Sequence, residues 1–262
     1  MVISSKDNEQ IKHIRKLKEK KYRDEYKEYV IEGVKLIEEA ILEKANIKTI
    51  VICDDSAKSE KIDSKLMYEI AKYNCIYVEE KVFNSISDVQ NHQGLLAVMN
   101  KEEEKTIEFN EDIIIVLDDI QDPGNLGTIL RTLDSAGLKQ IIVSKKSGDV
   151  YNPKVVRSTM GAILRVNVVE SQDLIDTLKE LKKHEFEIVA TSLDTKNSIY
   201  DVDYKKKVII IGNEANGISK EVLEIADKKI KIPMLGKTES LNAAVATGII
   251  TYEYVRQKLT KR

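Results

Sequence analysis

Along the second half of this chain, apolar positions come in short unbroken runs separated by segments whose apolar residues recur every three or four positions. The runs at Ile113–Leu117, Gln140–Ser144, Val166–Val169, Ile188–Thr191, Val208–Ile211 and Lys229–Ile232 predict strands. The intervening segments at about 126–136, 153–162, 173–183, 219–226 and 240–258 predict helices. Runs such as IIIVL and VIIIG suit a sheet covered on both faces, so the alternation predicts an open parallel α/β sheet. Ligands of such sheets bind at the carboxyl ends of the strands.

The first hundred residues follow a looser pattern. A stripe of Val34, Ile37, Ala40 and Ile41 predicts a helix over Ile31–Lys44, and Thr49–Cys53 reads as a β-branched strand. A helix over Ile62–Tyr73 and strands at Ile76–Val78 and Leu95–Met99 complete a small α/β sandwich. The polar, aperiodic stretch Asn100–Asp112, NKEEEKTIEFNED, is the expected linker between the two parts.

One helix stands apart. Ser240–Tyr252 contains no charged residue although a third of the chain is charged, which predicts burial on most of its circumference. The Gly-Lys-Thr just before it, 236–238, is not a phosphate-binding loop, because Lys231 stands where that motif needs its first glycine.

Composition narrows the function. A net charge of −2 excludes a uniformly basic nucleic-acid binder, yet Lys12–Arg23 carries seven basic residues against Glu19 alone. That run reads either as a solvated helix face or as a phosphate-contacting arm. Cys53 and Cys75 lack a CxxC or His/Cys partner and read as reduced core thiols, and His13, His92 and His184 are scattered, so no metal site is expected. With no leader and no apolar run near the ~18 residues that span a bilayer, the expectation is a soluble cytoplasmic protein.

Three loops at strand ends carry the candidate chemistry. In DDIQDPGNLGTILRTLDSAG, 118–137, Pro123 and Gly124 turn the chain, Asn125 is a candidate cap, and Arg131 sits inside an apolar helix. Its bland role is an i,i+3 pair with Asp134. Arg131, Arg157 and Arg165 are three of only seven arginines, however, and their clustering favours bidentate recognition of phosphate or ribose. In IIIGNEANGIS, 209–219, Gly212 permits close approach and Asn213 and Glu214 present side chains. In IPMLGKTESLN, 232–242, Met234 offers a soft apolar surface and Ser240 is a candidate cap.

Together these loops resemble the three motifs of the TrmH/SpoU branch of the SPOUT methyltransferases: NLGxxxR at 125–131, GNExxGI at 212–218 and IPMxGxxESLNxxVA at 232–246, with STMGA at 158–162 similar to an intermediate motif. VIEGVKLIEEA, 30–40, and HQGLLAV, 92–98, resemble the family's L30e-like substrate-binding domain.

The resemblance implies an L30e-like domain over 1–105 and a trefoil-knotted α/β methyltransferase domain over 112–262, working as a homodimer. It implies 2′-O-methylation of a ribose in RNA, with S-adenosylmethionine as methyl donor, S-adenosylhomocysteine as product and no metal. The substrate it implies is 23S ribosomal RNA, with transfer RNA or a non-catalytic RNA-binding role as alternatives. Carried over, Asn125, Arg131, Glu214, Ser240 and Asn242 form the active site. Thr191, Ser192, Gly212, Asn213, Ile232, Met234 and Leu241 hold the cofactor, and Arg15, Lys16, Lys18, Lys20, Lys21 and Arg157 contact RNA. In this reading the charge-free helix passes through the knot and packs near the dimer interface.

Overall fold

The computed structural model describes residues 2–55, 62–102 and 105–260. These form two compact units, one of residues 2–102 with 149–164, the other of 105–148 with 165–260.

The first unit is a five-stranded sheet in the order β1-β4-β3-β5-β2, with β1 Val2–Ile3, β2 Glu28–Glu32, β3 Ile47–Cys53, β4 Cys75–Val78 and β5 Leu95–Asn100. Helices α1 Glu9–Lys16, α2 Lys20–Tyr26, α3 Val34–Leu42, α4 Ser64–Ile70 and α5 Glu80–Ile86 surround it. Ile11, Ile14 and Leu17 meet Val51, Leu96, Val98 and Phe83 in its core. The expected helix from Ile31 starts instead at Val34: residues 28–32 pair antiparallel with β5, and Gly33, at φ 113°, breaks strand from helix.

Residues 149–164 also pack in this unit, including the short helix Pro153–Ser158. The buried Arg23 guanidinium donates to Asp149 through Nε at 2.9 Å and to the Leu17 carbonyl at 2.7 Å, while Val155 and Val156 are buried. Removing either charge would strand the other in the interior.

The second unit is a six-stranded sheet in the order β11-β9-β10-β6-β7-β8, parallel at every pairing. Its strands are β6 Ile113–Asp118, β7 Gln140–Ser144, β8 Asn167–Ser171, β9 Glu187–Thr191, β10 Lys207–Gly212 and β11 Lys228–Ile230. Its helices, numbered on with Pro153–Ser158 as α7, are α6 Pro123–Ser135, α8 Leu174–Lys183, α9 Lys220–Ile225 and α10 Ala243–Thr260. All six residues of β6 are buried, as a central strand covered on both faces requires. The expected linker is partly tied to this unit: Ile107 and Phe109 pack against its core, the Phe109 ring stacks on His184 at 3.6 Å, and Lys206 donates to the Phe109 carbonyl at 2.6 Å.

Burial of α10 is one-sided. Ala243, Ala244, Thr247, Ile250, Thr251 and Tyr254 are buried, whereas Leu241 before the helix and Val245, Tyr252 and Leu259 along it are exposed. The expected burial around most of the circumference is thus not met within one chain, because α6 and the sheet cover only one side. Glu253 helps seat that side: hydrogen bonds from Arg256 hold its carboxyl below the usual range, against the opposing effect of burial.

Candidate active site

The carboxyl ends of β6 and β10 are neighbours, with Gly212 opposite Asp118, and the two loops that follow are stitched together. Asp118 is buried, and its Oδ2 accepts from both the Ser219 amide and hydroxyl at 2.8 Å. The Asn213 amide donates to the Asp119 carbonyl at 2.7 Å, and its oxygen accepts from the amides of Ala215 and Asn216. A Cβ on Gly212 would lie 2.3 Å from the Gly217 carbonyl carbon, so only glycine fits where the loop folds back.

At the start of α6 the cap is Asp122, whose side chain accepts from the Asn125 amide at 2.8 Å. Asn125 is therefore inside the first turn rather than capping it, and its side chain is free for another use. Its Nδ2 donates to Glu214 Oε1 at 2.7 Å and its Oδ1 accepts from Asn242 Nδ2 at 2.9 Å. The Asn242 oxygen in turn accepts from the amides of Ala244 and Val245. Asn242, not Ser240, caps α10. The result is a polar chain running from the amides at the N-terminus of α10 through two carboxamides to a carboxylate, which fixes both amide orientations.

The structure thus brings together Asn125, Glu214 and Asn242. Arg131, six residues farther along α6, is exposed and makes no hydrogen bond or ion pair with any described residue. The partner expected for a bland role, Asp134, is held instead by Arg165, whose Nη2 lies 2.8 Å from its Oδ2. Ser240 is exposed and likewise makes no hydrogen bond among the described residues.

The residues expected to hold a cofactor lie at or beyond the ends of β9, β10 and β11. Thr191 donates to the Ile210 carbonyl at 2.9 Å, and the Ser192 amide donates to the Ile230 carbonyl. From Ile232 to Leu241, no backbone amide or carbonyl bonds to any described residue. Leu235 is 100% exposed, Leu241 is exposed, Ile232 and Met234 are half-buried, and a Cβ on Gly236 would meet nothing within 4 Å. Unbonded main-chain groups beside apolar side chains and open space could hold a ligand with both polar and apolar parts. Among the described residues no cluster of His, Cys, Asp or Glu is arranged to hold a metal, and no helix is long and apolar enough to cross a membrane.

In the first unit, the basic run folds into α1 and α2 and most of its charges have partners. Lys12 pairs with Glu9, Lys18 with Asp88 at 2.9 Å and Lys20 with Asp24 at 3.1 Å, while Arg15 donates to the Lys6 carbonyl and the Ser85 hydroxyl. Lys16 and Lys21 are exposed and lie over the Tyr22 ring, 5.3 and 5.5 Å from its centroid. Arg157 is half-buried and unpaired among the described residues. Tyr22 and Tyr26 escaped the sequence reading; their spacing inside KEKKYRDEY, aromatic rings interleaved with bases, is the signal that marks them.

Known proteins resemble this chain in sequence and fold. The profile of the SpoU rRNA Methylase family matches residues 112–252, and that of the MRM3-like substrate binding domain matches residues 8–97. The chain is 30% identical over 251 residues to the Bacillus subtilis 23S rRNA (guanosine(2553)-2′-O)-methyltransferase RlmP, covering 95% of this chain and 97% of that one. It superposes on an AdoMet-bound rRNA methyltransferase from Sinorhizobium meliloti with a TM-score of 0.84, at 30% identity and 98% coverage of both chains. The SpoU methyltransferase AviRb from Streptomyces viridochromogenes, in complex with AdoMet, superposes with a TM-score of 0.87 at 25% identity, covering 97% of this chain and 100% of that one. With a family profile spanning more than half its length and a relative 30% identical over nearly all of both chains, the chain belongs to the SpoU rRNA methylase family.

Proposed function

We propose that this chain methylates a ribose 2′-OH of RNA, using S-adenosylmethionine, and that its substrate is 23S ribosomal RNA. The observation that carries the reading is the Asn242–Asn125–Glu214 chain, whose middle member shares α6 with Arg131, a residue with no partner among the described residues. The 23S target rests on the named activity of the Bacillus subtilis relative. Ile232–Leu241, with Thr191, Ser192, Gly212 and Asn213, would hold the cofactor, which supplies an activated methyl group. Residues 8–97 would grip the RNA, and α10 would be threaded as the family's trefoil knot.

The side chains of this site position and stabilise. The guanidinium of Arg131 stays charged, so it orients the ribose hydroxyl and stabilises the alkoxide that develops there, rather than serving as the base. Glu214 Oε1 is occupied by Asn125, which leaves Oε2 to accept a hydrogen bond from a bound group. A phosphate or water takes the proton.

Tritium transfer from labelled S-adenosylmethionine to 23S RNA lacking its modifications, followed by nuclease digestion, tests this. Label is expected in an alkali-resistant dinucleotide, and Arg131→Ala is expected to lower turnover by roughly a hundredfold or more. Label in a base, or undiminished turnover in the variant, would overturn the assignment. Near-full turnover in Arg131→Lys would remove the need for the guanidinium fork.

The same reading includes a homodimer. Leu241, Val245, Tyr252 and Leu259 recur every four or seven residues along one exposed stripe of a helix whose first half carries no charge, a face suited to self-association. Light scattering is expected to give twice the chain mass, and Val245→Asp to give the single-chain mass.

A further inference from the structure

Five side chains of the first unit form a surface that the catalytic reading does not use. The rings of His13 and Tyr26 lie 4.6 Å apart between centroids, and Tyr26 stacks on Tyr22 at 5.9 Å with an interplanar angle of 22°. His13 is fixed at the inner end of this row by buried Glu28, whose Oε2 lies 2.7 Å from its Nε2. At the outer end, Lys16 from α1 and Lys21 from α2 both approach Tyr22. Every neighbouring base of the run has a carboxylate or carbonyl partner, yet among the described residues these two ammonium groups have only the ring.

That combination is what an unpaired nucleotide needs. A base offers a π-face to an aromatic ring, its phosphate offers charge to an ammonium group, and neither demand depends on sequence. A duplex offers no free base face, so ring stacking distinguishes single-stranded RNA from double-stranded RNA. We propose that Tyr22, backed by Tyr26 and flanked by Lys16 and Lys21, is a stacking platform for an unpaired base of the RNA substrate. This rests on the RNA reading above and adds to it the kind of RNA that the first unit grips.

The test uses the full chain with a labelled single-stranded oligoribonucleotide and a blunt RNA duplex, each titrated over a range of salt. Tyr22→Leu, which keeps apolar bulk without a π-face, is expected to weaken single-strand binding about fivefold to a hundredfold and leave duplex binding and the salt slope unchanged. Tyr22→Trp is expected to restore binding. Lys16→Gln with Lys21→Gln is expected to lower the single-strand salt slope by about 1.4, at roughly 0.7 per phosphate contact. Thermal midpoint and S-adenosylmethionine binding are measured on the same variants, and both are expected to match the parent chain. Equal single-strand binding by Tyr22→Leu and the parent, or equal losses on both RNAs, overturns the platform. Methyl transfer by the parent chain separates the two readings: transfer with an indifferent Tyr22 removes the platform alone, and absence of both transfer and RNA binding removes both.

Discussion

The loop after β10 and the loop after β11 follow parallel strands on either side of β9 in one sheet and are held in opposite ways. From Gly212 to Ser219 the chain closes on itself: Asn213 and Gly217 bond each other's backbone, Asn213 spends its whole carboxamide on three backbone groups, and Asp118 anchors Ser219. From Ile232 to Leu241 there is no such bond among the described residues, and Leu235 stands fully in solvent. The first loop is organised by its own sequence before any ligand arrives. The second keeps its backbone groups available to water or to a ligand. Under the proposed function, a site built this way would hold Glu214 in place while leaving the cofactor side adaptable.

The largest expected effect comes from the close approach at Gly212. Gly212→Ala places a methyl group 2.3 Å from the Gly217 carbonyl carbon and 2.4 Å from the Ile218 amide nitrogen, both backbone atoms that cannot swing aside. The cost should be about 3 kcal/mol or more, read as a lower urea midpoint of the second unit. A midpoint equal to the parent's would mean the loop is softer than its hydrogen bonds imply. Asn213→Ala removes three hydrogen bonds and should cost about 1–3 kcal/mol by the same measurement.

The contrast between the loops also marks how far the sequence carries. Strands β6, β7, β9 and β10 were legible because burial on both faces forces continuous apolar runs, and the chain's turns after β6, β10 and β11 were legible because each holds glycine together with proline or asparagine. What escaped was set by distant competition. Asp134 is four-fifths of a turn from Arg131 and looks like its partner, but Arg165, 31 residues away in sequence, takes it. Asn125 and Ser240 look like caps, yet Asp122 and Asn242 hold those places and release Asn125 to join Glu214. In β2, the apolar run Tyr29–Ile31 is too short to stand out beside the helical stripe beginning at Val34, and only pairing with β5 reveals the strand. Nothing local in residues 149–164 announces that Asp149 meets Arg23, 126 residues earlier.

Hydrogen exchange probes the comparison directly and with a smaller effect. Saturating S-adenosylhomocysteine should slow exchange of amides from Met234 to Leu241 by about tenfold, equivalent to ~1.4 kcal/mol of local stabilisation. Amides from Asn213 to Ser219 should change far less, since Ala215, Asn216 and Gly217 are already bonded within the chain. Equal slowing in both loops would show that the first is also completed by the ligand.

The smallest effect should fall on Gly236, and its sign is the sharpest reading of the difference between the loops. A Cβ there meets nothing within 4 Å, and the residue is not among the glycines held at positive φ. Alanine should therefore be tolerated and should stabilise the unliganded chain by about 0.4–1 kcal/mol, because it narrows the unfolded ensemble without straining the folded one. If the open space at Gly236 is where the cofactor lies, the same methyl group intrudes on it, and Gly236→Ala should bind S-adenosylmethionine more weakly than the parent. A urea midpoint that rises together with a cofactor dissociation constant that rises would place the demand for glycine on the ligand. A midpoint that falls would place it on the fold, as at Gly212, and the two loops would no longer be organised in opposite ways.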